Sequence, residues 1–166
     1  MMNALNVKDS VKSVQQSLDQ VIQKAEGLSD DVLRWNPAEE EWSVMQILCH
    51  LVEAVPYWLD EIEQLLETPG KEWGRGLQHE GRLAAVNKSK VDSTSLSDVL
   101  NELKALKPQV EQTLNKLNKE NLAMEAPSRN PRFGTKPISF IVDHLLVEHT
   151  SKHLGQIERN LSKVNK

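Results

Sequence analysis

Apolar residues along this chain recur at intervals of three and four rather than alternating, the period of amphipathic helices. Four long stretches carry the pattern. The first runs from about Val7 to Leu28 on Val11, Val14, Leu18, Val21, Ile22 and Ala25. Gly27 suits its end, where a left-handed residue closes a helix. The second begins after Ser43, whose hydroxyl can accept from an orphan backbone N–H. Its stripe is Val44, Ile47, Leu48, Leu51, Val52, Val55, Leu59, Ile62 and Leu66. Pro56, lacking an N–H, predicts a kink, and Thr68-Pro69-Gly70 an end. The third runs from about Leu96 to Leu117 on Val99, Leu100, Leu103, Leu106, Val110 and Leu114, capped by Ser95 and kinked at Pro108. Pro137, near the first helical position, opens the fourth, Ile138 to about Lys163.

Two connections interrupt the pattern. Residues 70–94 hold Gly70, Gly74, Gly76 and Gly81 with Trp73, His79 and Arg82. A connection this long is often functional, or ordered by a short helix of its own. The second is polar, with Pro127, Arg129, Pro131, Arg132 and Gly134. No strand and no internal repeat is predicted. Four amphipathic helices therefore give an all-α fold, a four-helix bundle formed by one domain over residues 1–166.

Composition narrows the function classes. The chain has 166 residues with a net charge of −4. No basic face stands out, which argues against a nucleic-acid binder. No apolar run approaches the roughly 18–20 residues that span a bilayer, and the first residues lack the order of a secretory signal. One cysteine, Cys49, excludes an intrachain disulfide framework and points to a cytoplasmic setting. Cys49 reads as a small buried hydrophobe rather than a nucleophile.

The candidate chemistry lies in the histidines. At about 100° per residue, helix four puts Ile138, Ile141, Val142, Leu145, His149, His153 and Gln156 on one face. His149 and His153, one turn apart, can converge on one metal ion, and a third imidazole from another helix would leave a position open for water or substrate. The alternative is a pair of core histidines satisfied by hydrogen bonds. The zincin glutamate is absent, since Thr150 follows His149. His50 falls on the flank of its helix, and periodicity leaves it either facing a neighbour or on the surface. His144 lies on the opposite side of helix four, in a second stripe with Phe140, Val147, Leu154 and Leu161. That stripe reads either as a wide core face or as a homodimer contact. His79 reads as a solvated loop residue. Arg75, Arg82, Arg129 and Arg132 lie in the two connections. They could bind carboxylates, although solvated loop charges are the simpler reading.

Taken together, Trp42-Ser43, then His50-Leu51, and finally His149-Thr150-Ser151-Lys152-His153-Leu154-Gly155-Gln156-Ile157 resemble the DinB-like superfamily. Trp35-Asn36-Pro37 and Asp143-His144-Leu145 also fit. The resemblance spans nearly the whole chain. It implies a four-helix bundle holding a divalent metal, nickel or zinc, on His50, His149 and His153, and it resolves the ambiguity at His50. It also favours a homodimer. Similar proteins include thiol-dependent S-transferases, among them bacillithiol transferases and mycothiol-dependent maleylpyruvate isomerases. The implied function is a metal-dependent enzyme acting on a small-molecule substrate, as an S-transferase using a low-molecular-weight thiol or as a hydrolase using activated water. The alternative is a non-catalytic metal- or small-ligand-binding bundle. An enzyme should open its metal position to a pocket that contains an acid or base. Glu53, Tyr57 and Glu148 are candidates by proximity in sequence, Glu148 facing away.

Overall fold

Helices in the computed structural model, which describes residues 6–164, start where a side-chain oxygen takes up orphan backbone N–H groups. Asn6 caps α1 (Val7–Ala25) and Ser29 caps the short α2 (Asp30–Leu33). α3 (Val44–Glu67) opens on a capping box: Ser43 Oγ accepts from the Gln46 backbone N–H at 3.1 Å, and Gln46 Oε1 accepts from that of Ser43 at 2.9 Å. Gln46 also accepts from Asn36 Nδ2 and donates to the Val86 carbonyl. The start of α3 thereby gathers both flanking connections. The 70–94 connection is ordered by two short helices, α4 (Glu80–Ala85) and α5 (Lys88–Asp92). α6 (Leu96–Leu114) follows its Ser95 cap and α7 (Lys119–Ala123) its Asn118 box.

α3 packs on α6, α6 on α1, α1 on the C-terminal helix, and that helix back on α3. This ring of four encloses the core, in which Leu18, Ile47, Leu51, Ile62, Leu103, Leu114, Ile141 and Ile157 are fully or almost fully buried. Each such side chain contributes about 1.5–3 kcal/mol. α1 ends at Ala25 and α6 at Leu114, three residues short of the periodic pattern in each case. Leu117 is buried all the same, because the chain beyond the helix still runs over the core. Pro56 and Pro108 lie inside helices that continue through them. Apolar burial along α3 and α6 outweighs the roughly 3 kcal/mol that an interior proline costs.

The structure differs from the sequence reading in containing strands. β1 (Glu125–Pro127) and β2 (Thr135–Pro137) form an antiparallel pair, with Glu125 opposite Pro137 and Pro127 opposite Thr135. Three residues per strand, with a proline in each, are too few to show alternation. Trp73 fastens this hairpin to the bundle. Its backbone N–H donates to the Pro127 carbonyl at 3.1 Å, its indole N–H donates to that of Ala126 at 2.8 Å, and its own carbonyl accepts from Arg129 N–H. The next residue, Gly74, sits at φ +85°, and a Cβ there would meet Ser128 Oγ at 3.1 Å; only glycine suits the position.

The fourth helix is not uniform. A single α-turn, α8 (Ile138–Phe140), leads into a π-helical segment, Ile141–Glu148, and then α9 (His149–Val164). The wider turn brings residues five apart to one side. Ile141 with Leu146 and Leu145 with Thr150 are all buried, although the 100° pattern includes neither Leu146 nor Thr150. Thr150 Oγ1 donates to the Leu146 carbonyl at 2.8 Å where α geometry resumes. In the second stripe, Phe140 and His144 meet Phe133 of the polar connection, while Val147, Leu154 and Leu161 are half-buried. Among the described residues, no helix is long and apolar enough to cross a membrane.

Trp73→Ala should destabilise the chain by about 3–5 kcal/mol in urea unfolding, since it removes a fully buried indole and its hydrogen bond. A loss under about 1 kcal/mol would mean that the hairpin is held by other contacts.

Candidate metal centre

His50 lies on the second turn of α3, and His149 and His153 on the first turns of α9. The bundle brings all three imidazoles together through the same ring nitrogen. His149 Nε2 is 3.2 Å from His50 Nε2 and 2.9 Å from His153 Nε2. Donor atoms of the three lie within 4.8 Å of one another. Nitrogens about 2.0–2.1 Å from a tetrahedral zinc stand about 3.3 Å apart, so the observed spacing is near what one ion requires. Trp42 covers the cluster, 5.0 Å from the His50 ring centre and stacked at 6.1 Å on His153. Asn160 Nδ2 fixes this lid of indole by donating to the Trp42 carbonyl at 2.8 Å.

The opposite ring nitrogens differ. His153 Nδ1 lies 2.8 Å from Gln156 Oε1, a contact that places the proton on Nδ1 and leaves the Nε2 lone pair facing inward. His50 Nδ1 and His149 Nδ1 are buried without a partner. Hydrogen bonds thus reach the Nε2 atoms of all three rings and Nδ1 of His153, and leave two members with an orphan nitrogen. Burial first, then the neighbouring imidazoles, hold His50 down at about 2. Burial, then His153, holds His149 at about 3. The Leu145 carbonyl pulls His149 the other way without reaching hydrogen-bond geometry at Nδ1. His153 is also lowered, by burial, with Gln156 opposing. All three are neutral at pH 7, with lone pairs available.

The cluster opens onto a pocket of about 510 Å³, walled by Trp58, Phe133 and Leu145 and by four cationic side chains, Arg75, Arg82, Arg132 and Lys152. A second recess of about 350 Å³ shares Arg82, Lys152 and His153 and borders Trp42. Of the arginines singled out in the sequence, Arg129 stands apart from both. It donates to Glu61 at 3.2 Å and to the Gly74 carbonyl.

The acid–base candidates are elsewhere engaged. Both Glu53 carboxylate oxygens accept from the buried Arg75 guanidinium. The Tyr57 hydroxyl donates to Glu61 at 2.7 Å, and burial together with that carboxylate raises its pKa. Tyr57 is a donor held neutral, not a base. Glu148 faces away as expected, 2.9 Å from His144 Nδ1, and His144 lies outside the trio. His79 is exposed, yet its ring accepts from Gly81 N–H and stacks on Tyr57. Cys49 is buried, which raises its pKa. Sequence reasoning missed Lys152, Asn130 and Phe133 as pocket walls. Only Lys152 carried a signal, being a cation adjacent to a candidate ligand.

Histidines depressed by folding stay neutral in the folded state, whereas in the unfolded chain they titrate near pH 6.5. Below that pH the unfolded state binds more protons, so stability present above it is lost as pH falls. The Tm of metal-free protein should drop between about pH 7 and pH 5, and replacing the three histidines by glutamine should flatten the decline. Parallel curves for the two proteins would count against the buried neutral trio.

A family model of the DinB superfamily matches residues 13–157. Among solved structures, YfiT from Bacillus subtilis, a probable metal-dependent hydrolase with an unusual four-helix bundle topology, superposes with a TM-score of 0.83 at 14% identity, covering 99% of this chain and 91% of that one. At that identity the likeness is one of fold. No curated protein matches the chain in sequence. The span matched by the family model contains Trp42 and all three clustered histidines, and the chain belongs to the DinB superfamily.

Proposed function

We propose that His50, His149 and His153 hold one divalent ion, nickel or zinc, through Nε2, and that the chain is a metal-dependent enzyme acting on a small molecule. The observation that carries this reading is the convergence of three neutral imidazole nitrogens on one point beside an open pocket. His153 supports it: its Nδ1 faces Gln156 Oε1 and its Nε2 turns toward the other rings, the hydrogen-bond arrangement that orients a ligating imidazole. A divalent ion bound there would supply Lewis acidity, bringing a water or thiol to its nucleophilic form near neutral pH.

The chain's own groups would do the rest. Gln156 holds the proton on His153 Nδ1. Trp42 shields two of the imidazoles from water. Lys152, at the pocket wall, is an ammonium that could protonate a leaving group. Its presence in an open pocket favours an enzyme over the non-catalytic binding bundle.

Between the two chemistries, one feature favours a low-molecular-weight thiol, and hence S-transfer. Among the described residues lining the pocket none is a carboxylate, and Glu53 and Glu61 are held in their own networks. Water and thiol each release one proton on ionising, and a thiol, with a pKa of about 8.5 when free against about 15.7 for water, gives its proton up to solvent with less demand for a base in the pocket. Hydrolysis is the second reading, supported by the likeness to YfiT, itself a probable metal-dependent hydrolase.

Purified, untagged protein is expected to carry about one nickel or zinc per chain, and His149→Ala to lose it. Loaded protein should then accelerate conjugation of small thiols to electrophiles more than it accelerates ester hydrolysis. The reverse ranking would favour the hydrolase. No metal, even after reconstitution with either ion, would end the metal-enzyme reading.

A further inference from the structure

We infer that the pocket beside the histidine cluster is an anion site, and that the substrate carries at least one carboxylate or phosphate group. The inference rests on the metal-enzyme reading for naming that anion a substrate; the anion site itself stands on the side chains alone.

Four cationic side chains line this pocket in a chain whose net charge is −4. Other recesses carry acids: Glu40 and Glu41 in one, Asp60 and Glu63 in another, Glu111 in a third. Arg75 is neutralised by the Glu53 fork. Arg82, Arg132 and Lys152 have no carboxylate partner among the described residues, whereas Arg34, Arg75 and Arg129 do.

Arg82 is the most telling of the three. It is half-buried, stands 5.5 Å over the Trp42 ring, and donates to the Leu77 carbonyl. Its charge is opposed by desolvation and by neighbouring Arg75, while Glu53, which favours it, is already engaged by Arg75. Folding thus holds Arg82 in a partly desolvated recess beside other cations with the neighbouring carboxylate committed elsewhere, and a bound anion would supply a counter-charge. Arg132, which lines the same pocket with Asn130 and Phe133, offers a second planar fork suited to carboxylate or phosphate. An anionic group seated on these cations would keep the rest of a small ligand beside the three imidazoles.

The test is calorimetric titration of metal-loaded protein and of His149→Ala protein with succinate, with inorganic phosphate, and with succinamide as a neutral isostere. Succinate or phosphate should bind to both proteins and succinamide to neither; the stronger anion identifies the group recognised. Arg82→Gln combined with Arg132→Gln, checked for an unchanged Tm, should weaken binding at least about tenfold. Equal binding of succinamide, or unchanged affinity in the double variant, would overturn the inference. So would anion binding that vanishes in His149→Ala, since the ion alone would then be the acceptor. Anion binding that persists in a protein that takes up no metal would leave the anion site standing while the metal reading falls.

Discussion

The contact between α3 and α9 holds the candidate centre together. His50 and His149 are 99 residues apart in sequence and 3.2 Å apart at Nε2, so neither helix can present the cluster alone. What forces the contact is the ring of four helices around one core, where almost every inward aliphatic side chain is fully buried. The imidazoles sit at the margin of that core. Burial therefore supplies both the proximity and the neutrality of the three rings. A neutral imidazole is a donor for a metal and a protonated one is not, so the packing that shapes the bundle also sets the protonation state of the site.

A second constraint shapes the pocket. Glu61 is buried on α3 and accepts from the Tyr57 hydroxyl, the Gly74 backbone N–H and the Arg129 guanidinium. A buried carboxylate is tolerated only when its lone pairs are taken up in this way. In satisfying itself, Glu61 draws the connection after α3 and the hairpin connection onto one side of the bundle, with Trp73 bridging them. Those two connections supply Arg75, Arg132 and Phe133 to the pocket wall. A carboxylate near the site in sequence is thus an anchor for its walls rather than a participant in its chemistry.

The helices themselves were legible in the pattern of apolar residues because a helix repeats its environment every three or four positions, and a repeated environment leaves a periodic trace. Ser43 and Ser95 were legible as caps for an equally local reason. Pro56 and Pro108 read as kinks because proline's effect on a helix is local, whereas the burial that lets α3 and α6 continue through them is not. The short β1–β2 pair left no trace, since three residues cannot display alternation. The π-helical segment was hidden as well. Its i→i+5 spacing shows only in which residues are buried, and Leu146 and Thr150 look ordinary in sequence.

The sequence by itself determined the four amphipathic helices and the shared face of His149 and His153, because both follow from spacing within one helix. Whether His50 faces its neighbour or solvent was not determined by periodicity, since a flank position is compatible with either. The tertiary structure decided that, along with the orphan Nδ1 atoms, the withdrawal of Glu53 and Tyr57 into ion-pair and hydrogen-bond networks, and the unpaired cations around the pocket. Each of these depends on which groups from distant segments come within a few ångströms, and a repeating pattern along one helix carries no information about the partner across the gap.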